Sequence, residues 1–371
     1  MEIKIDRNEF YKCISKVQSI IERRSNMPIL STVLLTTADS DISISATDLE
    51  LGFQQTIKAD ILEEGSITVS GKKLFEILKE SRNETFYIKE KENHKVLISD
   101  GKTKFELSCL PADEYPVFIE PEDVTIIEVQ GKTLSEMINK TIYSVAIEES
   151  GFKLSGVFSE KVSHDGETFI RMVATDGHRL SLIDKSIPNI DSLDLGDGLI
   201  IPKKGMSELN KLATESESVL IGFKQKNCIA KKDNILLMIR LLDIKFPDYS
   251  PIIPEKEKCS IELDKNILIE ALRKMLILSN DRYKAVKITI DNNIMELVSI
   301  NPEIGEAQEN ISVHYNSERL AIGFNAKYFI DTLQSMESEI ITLGFIDDTK
   351  PCIIKGDADK GFLGLIMPMR I

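Results

Sequence analysis

The stretch Val173-Ala174-Thr175-Asp176-Gly177-His178-Arg179-Leu180 decides how the rest of the chain is interpreted. It predicts a strand, a sharp turn at Gly177 and a second strand that begins at Leu180, because Asp bonds to nearby backbone and Gly accepts positive φ without steric cost. His178 and Arg179 then place two donor-rich polar side chains where apolar strand residues are expected. The stretch is therefore either a solvated surface hairpin or a recognition site.

The pattern recurs along the chain, which is the sign of an internal repeat. Ser45-Ala46-Thr47-Asp48-Leu49-Glu50-Leu51 corresponds to the stretch at Thr175. Three further segments share a strand that runs into a short helix; they are residues 67–78, 199–209 and 320–333. Each copy ends on a strand marked by proline. The chain thus consists of three copies of one plan.

Hydrophobic periodicity predicts the elements within each copy. The first copy has the order strand, helix and three strands, twice over, with helices at 8–22 and 71–80 and strands near 3–6, 29–37, 41–46, 51–59, 66–70, 85–90, 94–99 and 103–109. The longer helix of the other copies is expected near 132–146 and 264–280. The predicted fold class is α+β: three similar domains, each a duplicated βαβββ unit with two helices on one face of antiparallel sheets. The predicted domains are 1–124, 125–253 and 254–371.

Composition restricts the compartment and the chemistry. The 371 residues are 42% hydrophobic, enough for several cores. No apolar run approaches the roughly 20 residues of a membrane span, and the charged N-terminus does not read as a signal peptide. Five scattered cysteines, with no C-x-x-C pair, indicate reduced thiols in a cytoplasm. We expect no membrane, metal or cofactor.

Charge is distributed unevenly along the chain. A net charge of −14 speaks, by itself, against nucleic-acid binding. The predicted helices nevertheless carry a net positive charge, with Lys12 and Lys16 on one polar face and Lys72 with Lys79 on another. If six such domains close a ring with two helices each facing inward, twelve helices about 10 Å wide leave a hole somewhat under about 30 Å. A nucleic-acid duplex fits such a hole and would be held without sequence preference.

Three motifs carry a resemblance: the stretch 173–180, Phe246-Pro247-Asp248-Tyr249 and the terminal Met367-Pro368-Met369-Arg370-Ile371. Together they resemble the bacterial β sliding clamp family, the processivity subunits of replicative DNA polymerase III. The resemblance covers the whole chain, including the threefold repeat, and implies the DNA clamp fold. It also implies a head-to-tail homodimer that forms a ring around double-stranded DNA and has no catalytic residues of its own. An ATP-driven partner, the clamp loader, would open the ring.

The resemblance also implies a groove for partner peptides between the second and third domains. Its partners would be the DNA polymerase III alpha subunit, the clamp loader and other proteins that carry a peptide resembling Gln-x-x-Leu-Phe. Matched by position, the groove residues are Leu154, Thr175, Gly177, His178, Arg179, Leu180, Pro247, Ile252, Asn325, Tyr328, Leu365, Ile366, Met367, Pro368, Met369 and Arg370. Methionine side chains adapt to many partners, and Tyr and Arg commonly anchor hot spots. Pro251 and Pro351 depart from the family's pattern and bear on peptide preference.

Two more residue sets follow from the resemblance. The DNA-facing residues would be Lys12, Arg24, Lys72, Lys73, Phe152, Lys153, Lys203 and Lys204. The dimer seam would bring Phe105, on an edge strand of the first domain, against Ile277 and Leu278 of the third. The alternative for these three is an ordinary core position.

Two other functions fit parts of the sequence. One is a peptide-binding scaffold that never touches DNA. The other is a hydrolase that uses Asp176 and His178, since residues i and i+2 on a strand share a face. No nucleophile motif accompanies that pair.

Overall fold

A computed structural model describes residues 1–21, 26–116, 123–146, 155–280 and 283–370. Within these ranges the α-helices are α1 (Arg7–Val17), α2 (Gly71–Glu80), α3 (Gly131–Asn139), α4 (Lys203–Thr214), α5 (Lys265–Ile277) and α6 (Ala326–Gln334). The described chain has no helix that is both long and apolar enough to cross a membrane.

Polar residues at the strand ends start several of these helices. Asp6 accepts hydrogen bonds from the first free N–H groups of α1, and Asp264 does the same for α5. Ser70 and Asn325 cap α2 and α6. These are the residue types that satisfy helix N-termini best. These caps explain why α1, α2, α5 and α6 begin immediately after a strand, whereas α3 and α4 follow Gln130 and Pro202, whose side chains make no cap hydrogen bond.

Each helix buries one apolar stripe, as the sequence predicts. Phe10, Ile14 and Val17 of α1 are fully buried, and so are Leu74 and Leu78 of α2. In α4 the inward residues are Met206, Leu209 and Leu212. Truncating one of the large buried side chains would cost about 3 to 5 kcal/mol for Phe and 2 to 5 for Leu.

The strands, numbered along the chain, are β1 (Glu2–Asp6), β2 (Thr32–Ala38), β3 (Asp41–Thr47), β4 (Leu51–Lys58), β5 (Asp60–Glu63), β6 (Ser66–Ser70), β7 (Thr85–Lys91), β8 (Lys95–Ser99), β9 (Lys104–Ser108), β10 (Ile126–Gln130), β11 (Gly156–His164), β12 (Glu167–Thr175), β13 (Arg179–Lys185), β14 (Leu199–Pro202), β15 (Ser218–Lys224), β16 (Asn227–Lys232), β17 (Ile235–Arg240), β18 (Cys259–Asp264), β19 (Ala285–Asp291), β20 (Ile294–Asn301), β21 (Gly305–Ser312), β22 (Leu320–Asn325), β23 (Ile340–Phe345), β24 (Cys352–Gly356) and β25 (Phe362–Ile366). With the helices they give the order βαβββ six times, two per predicted domain, and β5 is an addition. The predicted fold class is confirmed.

The two halves of each domain exchange their first strands. The strand before a helix joins the three strands of the other half, so that β1 lies beside β7 and β6 lies beside β2. The same exchange gives the neighbours β10 and β15, β14 and β11, β18 and β23, and β22 and β19. The result is six four-stranded half-sheets.

The chain separates into two compact units, Met1–Val129 with Ser216–Leu241, and Gln130–Glu215 with Leu242–Ile371. The first unit contains an eight-stranded sheet of order β10-β15-β16-β17-β4-β3-β2-β6 and a five-stranded sheet of order β5-β1-β7-β8-β9. The second contains an eight-stranded sheet of order β14-β11-β12-β13-β25-β24-β23-β18 and a four-stranded sheet of order β21-β20-β19-β22. Each eight-stranded sheet is thus two half-sheets fused edge to edge.

Some element boundaries differ from those predicted. α1 ends at Val17, after which the N–H groups of Ile20 and Ile21 both bond to the Val17 carbonyl. α3 ends at Asn139, where the Thr141 hydroxyl bonds back to the Met137 carbonyl and competes with the helix backbone. Residues 28–31 form a 3₁₀ turn before β2, and the short strand β5 was not predicted.

Candidate functional site

Asp176 and Thr175 shape the turn between β12 and β13. The Asp176 carboxylate accepts the backbone N–H groups of His178 at 3.0 Å and Arg179 at 3.1 Å. The Thr175 hydroxyl accepts the Gly177 N–H at 3.1 Å and donates to the Arg179 carbonyl at 2.7 Å. Gly177 has a φ of +85°, which glycine adopts freely. The turn is fixed by its own residues and presents His178 to solvent.

Arg179 is the anchor of this site. Its guanidinium donates to Asp176 at 2.9 Å, to Asp331 of α6 at 2.9 Å and to the Tyr143 carbonyl at 2.6 Å. The same group lies 4.6 Å from the ring centre of Tyr328 and 5.4 Å from that of Tyr143. The planar guanidinium suits such combined bonding and stacking. Arg179 therefore connects β13 to α6.

Tyr328 forms an aromatic wall beside the turn. Its ring is stacked on His178, with centroids 6.4 Å apart and an angle of 16° between the planes. Burial raises the pKa of Tyr328, and the Asp176 carboxylate raises it further. Its hydroxyl is therefore a neutral hydrogen-bonding group. Asn325 holds the helix in place as the N-cap of α6, accepting the Lys327 N–H at 2.9 Å.

The C-terminal segment forms the other wall. The Met367 N–H donates to the His178 carbonyl at 2.8 Å, and the Met369 N–H donates to the Gly323 carbonyl at 2.8 Å. The segment thereby joins the turn before β13 to β22, a strand of another sheet in the same unit. Pro368, which has no N–H to offer, lies between these two bonded residues. Met367, Pro368 and Met369 are half-buried and Arg370 is exposed.

An apolar cluster lies beneath these walls. Its members come from β11, β12, β13, β14, β24 and β25 and from the segment 246–249; they are Phe158, Val173, Leu180, Leu182, Ile200, Phe246, Tyr249, Ile353 and Leu365. The rings of Phe158 and Phe246 are stacked at 4.7 Å. Leu180 and Leu365 therefore lie in a packed apolar core next to the turn and the C-terminal segment.

The sixteen predicted groove residues have different positions. Leu180, Leu365 and Ile366 are 3%, 1% and 0% exposed, so their side chains belong to the core and do not line a surface. Pro247 and Ile252 are exposed, as is Pro251, whereas Pro351 is buried. Leu154 lies outside the described residues. Fifteen of them belong to the second unit.

The predicted DNA-facing lysines lie on helices. Lys12 is exposed on α1, Lys72 and Lys73 on α2, and Lys203 and Lys204 on α4. Lys73 pairs with Glu76 at 2.8 Å and Lys72 lies 3.9 Å from the same carboxylate. Arg24, Phe152 and Lys153 lie outside the described residues.

Lys203 is close to the anchor arginine. Although the Lys203 side chain is largely exposed, the protein atoms around its ammonium group partly desolvate it and lower its pKa; the positive charge of Arg179 lowers the pKa further, while Asp176 and Asp331 act in the opposite direction. Lys203, at the start of α4, therefore interacts electrostatically with Arg179 and its two carboxylate partners.

The predicted seam residues lie at sheet and helix edges. Phe105 is half-buried on β9, the end strand of its sheet. Ile277 is 76% exposed at the end of α5, and Leu278 follows it, half-buried. None of the three is an ordinary core residue.

Three family profiles of the DNA polymerase III beta subunit match the chain. The N-terminal domain profile matches residues 1–119, the central domain profile 128–248 and the C-terminal domain profile 250–370. The chain belongs to this family. The sequence of the beta sliding clamp of Pseudomonas aeruginosa is 32% identical over the full length of both chains. That of Caulobacter vibrioides is 29% identical, also over the full length of both.

Solved beta clamp structures have the same fold. The Bartonella birtlesii sliding clamp, solved bound to griselimycin, superposes with a TM-score of 0.94 at 30% identity and full coverage of both chains. The Caulobacter crescentus polymerase III beta structure also gives 0.94, at 29% identity over the full length of both chains. The chain is a DNA sliding clamp of the polymerase III system.

The hydrolase alternative is not favoured. Both Asp176 carboxylate oxygens already accept hydrogen bonds, Oδ1 from the turn backbone and Oδ2 from Arg179. A carboxylate committed in this way is a poor partner for His178 in acid–base chemistry. The Asp176 carboxylate instead fixes the backbone of the turn by accepting the N–H groups of His178 and Arg179.

Sequence reasoning missed two partners of Arg179. Asp331 follows Tyr328 by three residues on α6, a spacing that places both on one helix face and could have indicated it. Tyr143 contributes a backbone carbonyl and a ring from a 3₁₀ turn that is distant in sequence. No local pattern indicates that contact.

Proposed function

We propose that two copies of this chain join head to tail, through β9 of one and β21 of the other, into a ring of six domains around duplex DNA. The three domains of each copy would be 1–124, 125–253 and 254–371. The observation that carries the proposal is the way in which the half-sheets are already fused within one chain.

Both fusions follow one rule. The last strand of a domain's first half pairs with the last strand of the next domain's second half: β4 pairs with β17, and β13 pairs with β25. Leu51 to Gln55 pair with Ile239 to Ile235, and Arg179 to Ile183 pair with Ile366 to Phe362, both antiparallel. Applied once more, the rule pairs β21 of the third domain with β9 of a first domain. In a dimer, β21 of each copy would pair with β9 of the other copy, so that two such pairings would close the ring.

The two edges have complementary features. Phe105 and Leu107 lie opposite the fully buried Ile98 and Val96, yet are themselves only half-buried. Phe105 and Leu107 therefore lie on the core-facing side of the sheet, but at its edge they remain partly exposed to solvent. β9 is flanked by Lys91 and Lys95, which both reach Glu106, at 2.9 and 2.7 Å.

The opposite edge carries carboxylates and an exposed apolar side chain. Glu306 is exposed on β21, and Glu309 binds Lys274 of α5 at 2.8 Å. Ile277 ends the same helix. An unpaired strand edge with matching charge and apolar surface favours association with another copy.

The helices would form the DNA-facing wall of the ring. Lys12, Lys72, Lys73, Lys203 and Lys204 would contact phosphates in water-separated, sequence-independent fashion, as expected of a clamp that slides. Arg24, Phe152 and Lys153 belong to the same proposed set. The chain would act in the cytoplasm as a non-catalytic processivity factor.

The groove at Arg179 and Met367 would bind partner peptides resembling Gln-x-x-Leu-Phe. Half-buried methionines, a tyrosine wall and an apolar base suit an aliphatic–aromatic peptide end. The DNA polymerase III alpha subunit and the clamp loader are the partners we propose for it, together with other proteins that carry such a peptide.

Retention on circular DNA tests the ring. Labelled protein is loaded onto nicked plasmid by a bacterial clamp loader with ATP, isolated by gel filtration, and the plasmid is then cut once. We expect retention on the circle and loss within minutes of linearisation. Equal retention on both forms would exclude topological binding, and no retention on either would favour a scaffold that does not encircle DNA.

A further inference from the structure

The first unit has a pocket of about 320 Å³ at the fusion of β4 with β17. Its wall combines the turn before β4, the turn between β15 and β16, and one face of β17. Its lining includes Leu49, Glu50, Lys226, Met238 and Arg240. The volume lies in the range of small-ligand and peptide side-chain sites.

This pocket is the internal counterpart of the groove at Arg179. The Thr47 hydroxyl donates to the Leu51 carbonyl at 2.7 Å and accepts the Leu49 N–H at 3.0 Å. Asp48 accepts the N–H groups of Glu50 and Leu51, just as Asp176 accepts those of His178 and Arg179 in the other turn. The Arg240 N–H donates to the Glu50 carbonyl at 2.8 Å. This bond corresponds to the one from the Met367 N–H to the His178 carbonyl in the other turn. The backbone of the site is therefore repeated, with Arg240 in the place of Met367.

Leu49 is held in an unfavourable backbone conformation. Its φ is +75°, a region that a bulky side chain rarely adopts, and it occupies the position of Gly177. The side chain is 50% exposed, so burial does not explain why leucine is present. A strained apolar residue presented at a pocket is characteristic of a binding position.

The charges of the pocket indicate the kind of ligand. Arg240 is exposed, and within the described parts of the chain its guanidinium makes no hydrogen bond or ion pair. Lys226 adds a second positive charge, and Glu50 provides one carboxylate. Met238 lies opposite Gly52 across the two strands and gives an adaptable apolar floor.

We propose that this pocket binds a peptide segment of a partner protein in which a carboxylate stands beside an apolar side chain. Leu49 and Met238 contact the apolar side chain, and Arg240 binds the carboxylate. The proposal does not depend on ring assembly or on peptide binding at Arg179.

Methyl NMR of protein labelled at the methionine methyl groups tests the site directly, because Met238 lies in this pocket and Met367 and Met369 in the other groove. The probe is acetyl-Asp-Leu-Asp-Leu-amide, and acetyl-Lys-Leu-Lys-Leu-amide is its charge-reversed control. We expect a saturable shift of the Met238 signal with the acidic probe alone, weakened at least tenfold by Arg240→Glu. A shift confined to Met367 and Met369, or one unaffected by Arg240→Glu, would overturn the proposal.

Leu49→Gly separates a binding role from a structural one. We expect the variant to unfold at the same or a higher temperature, because the strain is removed, and to bind the acidic probe at least fivefold more weakly. Weaker binding accompanied by a lowered unfolding temperature, or unchanged binding, would count against the proposal. A 12-base-pair duplex that shifts Met238 in an Arg240-dependent way, where the acidic probe does not, would replace the peptide with nucleic acid and also overturn it.

Discussion

A buried lysine holds two segments of the second unit together. Lys140 is 1% exposed and binds Glu136 and Asp359, each at 2.7 Å. Asp359 also accepts the N–H groups of Glu337 and Ser338 and the Ser338 hydroxyl. Removing one member of such a network leaves another charge buried without compensation. The network makes stability depend on the ionisation of Asp359.

Asp359→Asn should destabilise the protein by about 3 kcal/mol at pH 7. Burial alone would raise the pKa of Asp359, but hydrogen bonds from Lys140, Ser338 and the backbone outweigh it and lower the pKa below its ordinary 3.8. A lowered carboxyl pKa stabilises the fold above pH 3.8 and ceases to do so as the pH falls through the folded value. Urea unfolding should therefore show a parent–variant difference that shrinks below pH 4.

Asp357 provides the matched control, since it is exposed and two residues away. Asp357→Asn should change the free energy of unfolding by less than about 0.5 kcal/mol. A constant parent–variant difference for Asp359→Asn from pH 7 to pH 3 would mean that its charge does not stabilise the fold.

Arg179→Ala should cost about 3 kcal/mol in unfolding, because Asp176 and Asp331 lose a partner whose side chain is only 10% exposed. Lys327 also binds Asp331, but its side chain is 45% exposed, so Lys327→Ala should cost less than about 1 kcal/mol. Chemical denaturation of the two variants gives the comparison. Equal costs would show that Arg179 does not anchor the groove.

At the residue scale, the sequence indicates which side chains are polar or charged more readily than which distant residues they contact. Glu136 and Lys140 are spaced as a surface i,i+4 pair, and nothing local shows that Lys140 is buried against Asp359. The segment Asp357 to Gly361 looks superficially like a metal loop. Its Asp359 instead serves an ion pair that depends on two distant parts of the chain.

Among the elements, the two turns at Asp48 and Asp176 show what sequence periodicity can predict. The recurrence of Ala-Thr-Asp predicted a shared turn, and both turns have the same hydrogen bonds. The pairings of β4 with β17 and of β13 with β25 could not be predicted, because strand edges carry no local label for a distant partner. The half-sheet exchange within each domain escaped prediction for the same reason.

Phe105→Arg should weaken dimer formation at least a hundredfold, because the charge is placed on the half-covered face of the proposed edge strand β9. Sedimentation equilibrium across a concentration series gives the association constant. Leu62→Arg is the control, since Leu62 is 55% exposed on β5, the opposite edge of the same sheet. If both variants associate like the parent protein, β9 is not the seam.

For the molecule as a whole, the net charge and the distribution of charged residues lead to opposite expectations about DNA binding. A total of −14 disfavours nucleic acid, whereas exposed lysines of α1, α2 and α4 provide local positive surfaces. Phosphate binding depends on the local surface, because charges more than about 10 Å away are screened at physiological salt. Acidic strands and loops would then repel DNA elsewhere on the clamp and leave it free to slide.

Reversing Lys12, Lys72 and Lys204 to Glu should weaken DNA retention and flatten its dependence on salt. Each phosphate contact contributes about 0.9 to the slope of log K against log salt concentration, so three lost contacts per copy would reduce the slope by up to about 3 per copy. The matched control reverses Lys287, Lys350 and Lys360, which are exposed on strands and loops and change the net charge equally. Retention on nicked plasmid is measured from 50 to 300 mM salt for both triple variants. A general effect of net charge would reduce both slopes alike, and that result would remove the helices from the DNA-facing surface; a loss confined to the helix variant would place the DNA against them.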